Sequence, residues 1–364
     1  MTAPNPFTPT FGKVPAVLAG RDLLLQEVET ALRNGGGDPN LCSLFSGPRG
    51  VGKTVLLAYL AARSSEFGWV AANVTARPGM LEDIIERATD AADELVSSRV
   101  GARLTSLSIP ALFGASWEYR DPEKGNWRTR MTRLLGTLEN HGLGLLITID
   151  EVDPSLEELI DFAATYQHFV RENRKVALFM AGLPANVSTL LSDKSASFLR
   201  RAAQHQLGRI DDYDVRIAFR ETVEDAGKTI EDAALDRAVA ATDGFAYMMQ
   251  LVGFRTWAAS GERACIVDED ASQGAARARE DFISGVVRKT CQDLSEGDLA
   301  FLEAMLPDVD EPSSMTDIAQ RMGKTTNYAR VYRSRLVEQG LITPAGRGYV
   351  RFDMPLICDY LLED

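Results

Sequence analysis

Apolar positions along the chain follow two periods. Short, nearly continuous apolar runs occur at residues 41–45, 68–76, 143–149 and 175–181. Runs of this length predict buried strands. Between them, helical spacing is read over 21–33, 51–64, 78–99, 127–139 and 155–171, with a Gly-rich loop at 34–40 ending the first helix. Strands alternating with helices predict an α/β fold built on a parallel, doubly wound sheet. A last strand is expected at 206–210. Residues 104–119 alternate around Pro110 and Gly114 and predict a hairpin insertion. Past residue 209 the strand signal fades, and helices are expected at 212–226, 230–242, 245–260 and 269–292. A third unit starts near Leu294. It shows three short helices and then a hairpin over 341–352, carrying Pro344, Gly346 and Gly348. The division expected is 1–209, 210–292 and 293–364.

Composition narrows the class. The chain has 364 residues, 45% of them hydrophobic and 25% charged, ordinary for a globular protein of two or three domains. No apolar run reaches the ~18 residues of a membrane helix, so no membrane partner is expected. The first residues show no basic stretch followed by an apolar one, so no leader is expected. Cys42, Cys265, Cys291 and Cys358 form no C-x-x-C pair, which points to a reducing cytoplasm. His141, His168 and His205 do not converge on a metal site and read as surface or loop residues. The net charge of −13 excludes a general nucleic-acid coat, so charge must be read by segment.

Gly47, Pro48, Arg49, Gly50, Val51, Gly52, Lys53 and Thr54 match G-x-x-x-x-G-K-[ST] between a strand and a helix. The glycines let backbone N–H groups wrap a phosphate chain at a helix N-terminus. Lys53 reaches the outer phosphates and Thr54 ligates Mg²⁺. About a hundred residues on, an apolar strand ends in Asp150 and Glu151. Asp150 is suited to holding the metal and its water shell, and Glu151 to orienting or deprotonating an attacking water. Asp153, before Pro154, is expected to cap the next helix. The bound ligands expected are ATP or ADP with Mg²⁺.

With these motifs the chain resembles the AAA+ ATPases, in the branch of the origin-recognition initiators, archaeal-type ATPases and STAND signalling ATPases. Gly20 and Arg21, ahead of the first helix, are similar to the adenine-side segment of that family. The resemblance implies a P-loop NTPase core, a helical lid and a C-terminal winged helix-turn-helix. Two departures stand out. The strand at 175–181 ends in Gly182, Leu183 and Pro184, with no polar sensor residue unless Asn186 substitutes. The lid stretch from Asp243 to Gln250 carries no sensor arginine. It looks more like the corresponding segment of the STAND and archaeal-type ATPases, with Tyr247 packing near the nucleotide or into a helix core. Arg200 and Arg201 lie where many AAA+ rings place arginine fingers. They serve a neighbour's γ-phosphate in a homo-oligomer or form a solvated basic helix end.

The third unit hides a basic segment. Residues 291–364 carry 13 acids and 7 bases, but residues 321–351 carry 7 bases and one acid. Helices at 314–323 and 325–339, joined across Gly323, have helix-turn-helix spacing. Thr326, Asn327, Arg330, Tyr332 and Arg333 are the expected major-groove residues, and Arg347 is expected at the tip of a wing. Two readings stand. One is a DNA-associated ATP switch, with ATP between core and lid and double-stranded DNA on the winged helix. The other is a STAND-like signalling or scaffold ATPase whose winged helix binds a protein partner.

Overall fold

The computed structural model describes residues 4–10, 12–104 and 125–363. Residues 105–119 of the expected hairpin insertion lie outside these, and Leu104 ends a helix. Contacts group the chain into two compact units. One comprises Asp22–Ser46 and Lys53–Gln206, the other Met1–Arg21, Gly47–Gly52 and Leu207–Asp364.

The sheet unit contains α1 (Asp22–Asn34), β1 (Cys42–Ser46), α2 (Lys53–Ser64), β2 (Trp69–Thr75), α3 (Met80–Leu104), α4 (Trp127–Asn140), β3 (Gly144–Asp150), α5 (Glu157–Arg171), β4 (Val176–Gly182), α6 (Pro184–Ser192) and β5 (Ala203–Gln206). Its five strands are parallel, in the order β2-β3-β4-β1-β5. β4 is buried at every position and β3 at every position but Asp150. Near-continuous apolar strands are what a parallel sheet covered on both faces requires. Leu145, Ile147 and Leu178 share the core with Ile84, Leu134, Phe162 and Tyr166.

Two boundaries differ from the sequence reading. The last strand is Ala203–Gln206, not 206–210, and alternates between half-buried and exposed residues. An edge strand needs no apolar run. The apolar signal at Leu207 and Ile210 comes from burial outside the sheet, where the Ile210 amide donates to the Gly244 carbonyl at 2.7 Å. Asp153 does not cap α5. Its Oδ1 accepts from the amide and hydroxyl of Ser155 at 2.9 and 2.7 Å, a local Asx turn, and Leu156 occupies the cap position.

The second unit is largely helical. It contains α7 (Asp212–Asp225), β6 (Thr229–Ile230), α8 (Asp232–Thr242), α9 (Ala246–Ser260), β7 (Cys265–Ile266) and α10 (Asp268–Phe282). β6 and β7 pair in parallel over two residues each, too short for a periodicity signal. A π turn at Ile283–Val287 carries α10 on into α11 (Arg288–Gln292). There follow α12 (Glu296–Met305), β8 (Ser313–Ser314), α13 (Met315–Arg321), α14 (Thr326–Glu338), β9 (Ile342–Pro344), β10 (Tyr349–Phe352) and α15 (Ile357–Glu363). β8, β10 and β9 form an antiparallel sheet whose β9–β10 hairpin follows α14 in the order expected. Arg279 of α10 pairs with Glu363 of α15 at 2.8 Å.

The N-terminal arm belongs to this unit. Phe7 is 2% exposed, 4.8 Å from the Phe219 ring. It fills a notch at Gly253, where a Cβ would lie 2.3 Å from the Phe7 ring. Asn5 donates to the Phe254 carbonyl at 3.0 Å, and the Thr8 amide to Gln250 Oε1 at 2.9 Å. Among the described residues no helix is long and apolar enough to cross a membrane.

Candidate functional site

β1 ends at Ser46 and α2 starts at Lys53, so residues 47–52 form a loop between a strand and a helix N-terminus. Gly50 and Gly52 adopt φ of 82° and 92°, left-handed backbone that favours glycine. A Cβ on Gly47 would lie 2.3 Å from the Leu207 carbonyl oxygen. Gly50 also offers its carbonyl to the Tyr247 amide, at 3.1 Å. Phe245 and Ala246 lie beside the loop, 3.6 and 3.4 Å from where Cβ atoms of Gly50 and Gly52 would be. The start of α9 therefore rests on the loop through backbone and small contacts. The Tyr247 ring turns to Phe282, 5.9 Å away, where burial and then the Asp281 charge hold its phenol above the usual range.

In the sheet unit, Thr54 Oγ1 donates to Asp150 Oδ2 at 2.5 Å, joining the first turn of α2 to the end of β3. Asp150 Oδ1 accepts from the Glu151 amide at 2.9 Å. Glu151 is exposed and left-handed, with φ 55°. Its neighbour Val152 is clamped on both sides. The Val152 amide donates to Ala181 O at 2.9 Å, and Asn186 Nδ2 donates to Val152 O at 2.9 Å. Asn186 thus holds the backbone next to Glu151. Thr148, buried two residues before Asp150, donates to Asn73 on β2 at 2.7 Å. Neither Asn186–Val152 nor Thr148–Asn73 is a sequence-local pair, and only β-sheet register brings the second together.

These residues fit a nucleoside triphosphate with magnesium. Left-handed glycines ahead of a helix let successive N–H groups converge on an anion. The lysine opens α2, and a hydroxyl beside a carboxylate is a hard-cation donor set.

Other predicted residues fall in different surroundings. Arg21 donates to the Gly208 carbonyl at 2.9 Å, and burial holds its pKa below the usual value. A Cβ on Gly20 would lie 2.9 Å from Asp214 Oδ2. Gly20 and Arg21 therefore brace the stretch at 208–214. Arg200 and Arg201 close a short 3₁₀ turn, Ser197–Arg201, and both are exposed. Arg200 Nε donates to Leu191 O at 2.7 Å, and the side chain lines a cleft of about 390 Å³ with Ser46, Ser188, Ser192, Gln204 and Gln206. His205 is not a loop residue. It sits on β5, stacked on Phe45 with ring centroids 5.2 Å apart. Burial lowers its pKa, against an opposing effect of Glu27.

The basic segment is partly neutralised. Arg321 makes two hydrogen bonds to the Asp308 carboxylate, and Arg335 pairs with the fully buried Asp298 at 2.8 Å. Lys324, Arg330, Arg333, Arg347 and Arg351 are in no ion pair among the described residues. Asn327 and Arg330 are exposed on α14, and Arg347 is exposed between β9 and β10. Tyr332 does not share that face. Its ring packs on α12, so that a Cβ on Gly297 would lie 2.3 Å from it. Arg333 is half-buried and, six residues on from Asn327, lies about 120° round the helix. Thr326 is half-buried in the first turn. Tyr328 was not singled out in the sequence; it is 41% exposed.

A family model described as a domain of unknown function, DUF8462, matches residues 284–361. No curated protein sequence matches the chain. Among solved structures the chain is similar to the Walker-type ATPase PABY2304 of Pyrococcus abyssi, at 14% identity and TM-score 0.67, covering 95% of this chain and 96% of that one. It is similar to the ORC2 protein of Aeropyrum pernix in ADPNP–ADP complexes, at 14% identity and TM-score 0.64, over 98% and 95% of the two chains. Cdc6p from Pyrobaculum aerophilum follows at 16% identity and TM-score 0.51, over 98% and 97%. A five-stranded parallel sheet, a Gly-rich loop entering a helix, and a helical C-terminal half matched nearly end to end make this the fold of the archaeal Orc/Cdc6-type AAA+ ATPases.

Proposed function

We propose that the protein is an ATP-driven switch that engages duplex DNA through a C-terminal winged helix. The observation that carries the nucleotide half is the Thr54–Asp150 contact of 2.5 Å, which brings a hydroxyl and a carboxylate suited to a hard cation together across 96 positions of sequence. Residues 47–52 cradle the phosphates, Lys53 neutralises the outer ones, and Thr54 and Asp150 hold the metal. Bound ATP with Mg²⁺ supplies a phosphoanhydride and the charge neutralisation its cleavage needs. The Glu151 carboxylate takes a proton from the attacking water. Arg200 or Arg201 serves a neighbouring copy's phosphate. The Gly50–Tyr247 hydrogen bond supports a lid that follows the state of the loop, because it ties the loop backbone to the first turn of α9. The unpaired cations of residues 321–351 support DNA as the partner.

A second reading has a specific observation in its favour. No arginine stands at the start of α9, and that helix meets the loop through the Tyr247 amide. That suits a STAND-like scaffold whose winged helix binds protein. Calorimetry with ATP and Mg²⁺ tests the nucleotide half. Wild type binds and Lys53→Ala loses most of the affinity with the fold retained; equal affinities remove the site. Duplex binding with a steep salt slope separates DNA from a protein partner.

A further inference from the structure

α14 leaves one face outside the domain core. Ala329 and Leu336 are buried, whereas Val331 is 58% and Tyr328 41% exposed. Asn327 and Val331 are one turn apart at the centre of this face, with Tyr328 and Arg330 on its flanks. A valine exposed in mid-helix has no role in the core of this domain.

Tyr328 is held in place. The Tyr332 hydroxyl donates to the Tyr328 hydroxyl at 2.9 Å, and the ring centroids are 5.0 Å apart. Lys324 lies over Tyr328 at 5.5 Å and Arg335 over Tyr332 at 5.8 Å. Arg335 is in turn anchored on buried Asp298. A pre-positioned ring loses little entropy on binding. Two cations in no ion pair among the described residues flank the face, Lys324 over Tyr328 and Arg330 beside Asn327, and Glu338 is the single acid in 321–351. Charge complementarity therefore selects a polyanion.

The side chains at the centre select which base pairs. An asparagine amide matches adenine N6 and N7, and apolar groups contact the thymine methyl. Arg330 donates to Asn327 Oδ1 at 3.2 Å, which places it at the margin with its other N–H groups left for phosphate. We infer that α14 reads A·T base pairs in the major groove, with Asn327 on adenine and Val331 and Tyr328 on thymine methyl groups. This rests on the DNA-binding reading proposed above.

The test uses the full chain with ATP and Mg²⁺ and fluorescence anisotropy at fixed salt. Three duplexes of equal length are compared: A·T-rich, G·C-rich, and the A·T-rich sequence with every thymine replaced by uracil, which removes only the methyl group. The A·T duplex is expected to bind about tenfold or more tightly than the G·C duplex. The uracil duplex is expected to lose several-fold. Val331→Ser, a change at an exposed position, removes the thymine–uracil difference. Asn327→Ala removes most of the A·T preference. Equal wild-type binding to all three duplexes overturns base reading while the DNA-associated function stands. Absence of binding to any duplex overturns both, and the exposed face of α14 then belongs to a protein contact.

Discussion

The Glu151 amide donates to the carboxylate of the residue before it, Asp150, at 2.9 Å, with Glu151 held at φ 55°. A left-handed non-glycine residue stores strain of about 1–3 kcal/mol, which persists where the surroundings over-determine it. Here Asp150, Ala181 and Asn186 all hold the adjoining backbone. Glu151→Gln should keep ATP bound and slow hydrolysis by about 10²–10⁴-fold. Glu151→Gly should slow it as much while raising the melting temperature, because glycine takes this backbone freely. Undiminished hydrolysis by either variant moves the base elsewhere.

The cations of residues 321–351 divide into two classes that mutation can separate. Arg330→Ala and Arg347→Ala should each lower the slope of log affinity against log salt by about one, with melting unchanged. Arg335→Ala should instead destabilise the domain by roughly 1–3 kcal/mol, because it removes the countercharge from the fully buried Asp298 and leaves that carboxylate only the Ser295 amide and hydroxyl. Anisotropy at several salt concentrations, set beside thermal melts, reads both. An Arg335→Ala protein with wild-type melting contradicts the assignment.

His205 gives a pH dependence of known sign. Its folded pKa lies below the unfolded one, chiefly through burial. The unfolded chain then binds the proton more readily, so stability rises with pH across this range. The contribution is complete above the unfolded value of about 6.5 and is lost as pH falls through the lower, folded value. His205→Phe, which keeps the stack on Phe45, should flatten the melting temperature between pH 5 and 7, as followed by circular dichroism on the order of every half pH unit. A variant with the same acid-side slope as wild type assigns the effect to another group.

Phe7 packs the arm into the largely helical unit. Phe7→Ala should cost about 3–5 kcal/mol, as for other large buried aromatics. Gly253→Ala should be comparably damaging, since the added Cβ meets the Phe7 ring at 2.3 Å. Chemical denaturation of the intact protein measures both. Wild-type midpoints for the two variants place the arm outside the cooperative unit.

Much of this protein was legible because its signals are local. A strand, a Gly-rich octet and a helix are contiguous between residues 42 and 64, so loop chemistry and hydrophobic period agree within one stretch of chain. β3 and β4 announce themselves as unbroken apolar runs, because a central parallel strand is covered on both faces. The carboxylates at the end of β3, the basic second helix and the hairpin after it followed from pattern and spacing. Other features had no local signature. The edge strand β5 is Ala-Gln-His-Gln, polar enough to read as loop, and its partner β1 lies some 160 positions earlier. Which arginines of the basic segment remain unpaired was decided by Asp298 and Asp308, acids that lie outside the segment and are folded back onto it. Tyr328 and Tyr332 have the same chemistry on one helix, yet only Tyr332 is turned onto Gly297. Periodicity reports which residues share a face. Which face another part of the chain then covers, and which charge it cancels, depends on contacts across long sequence distances that only the packed chain specifies.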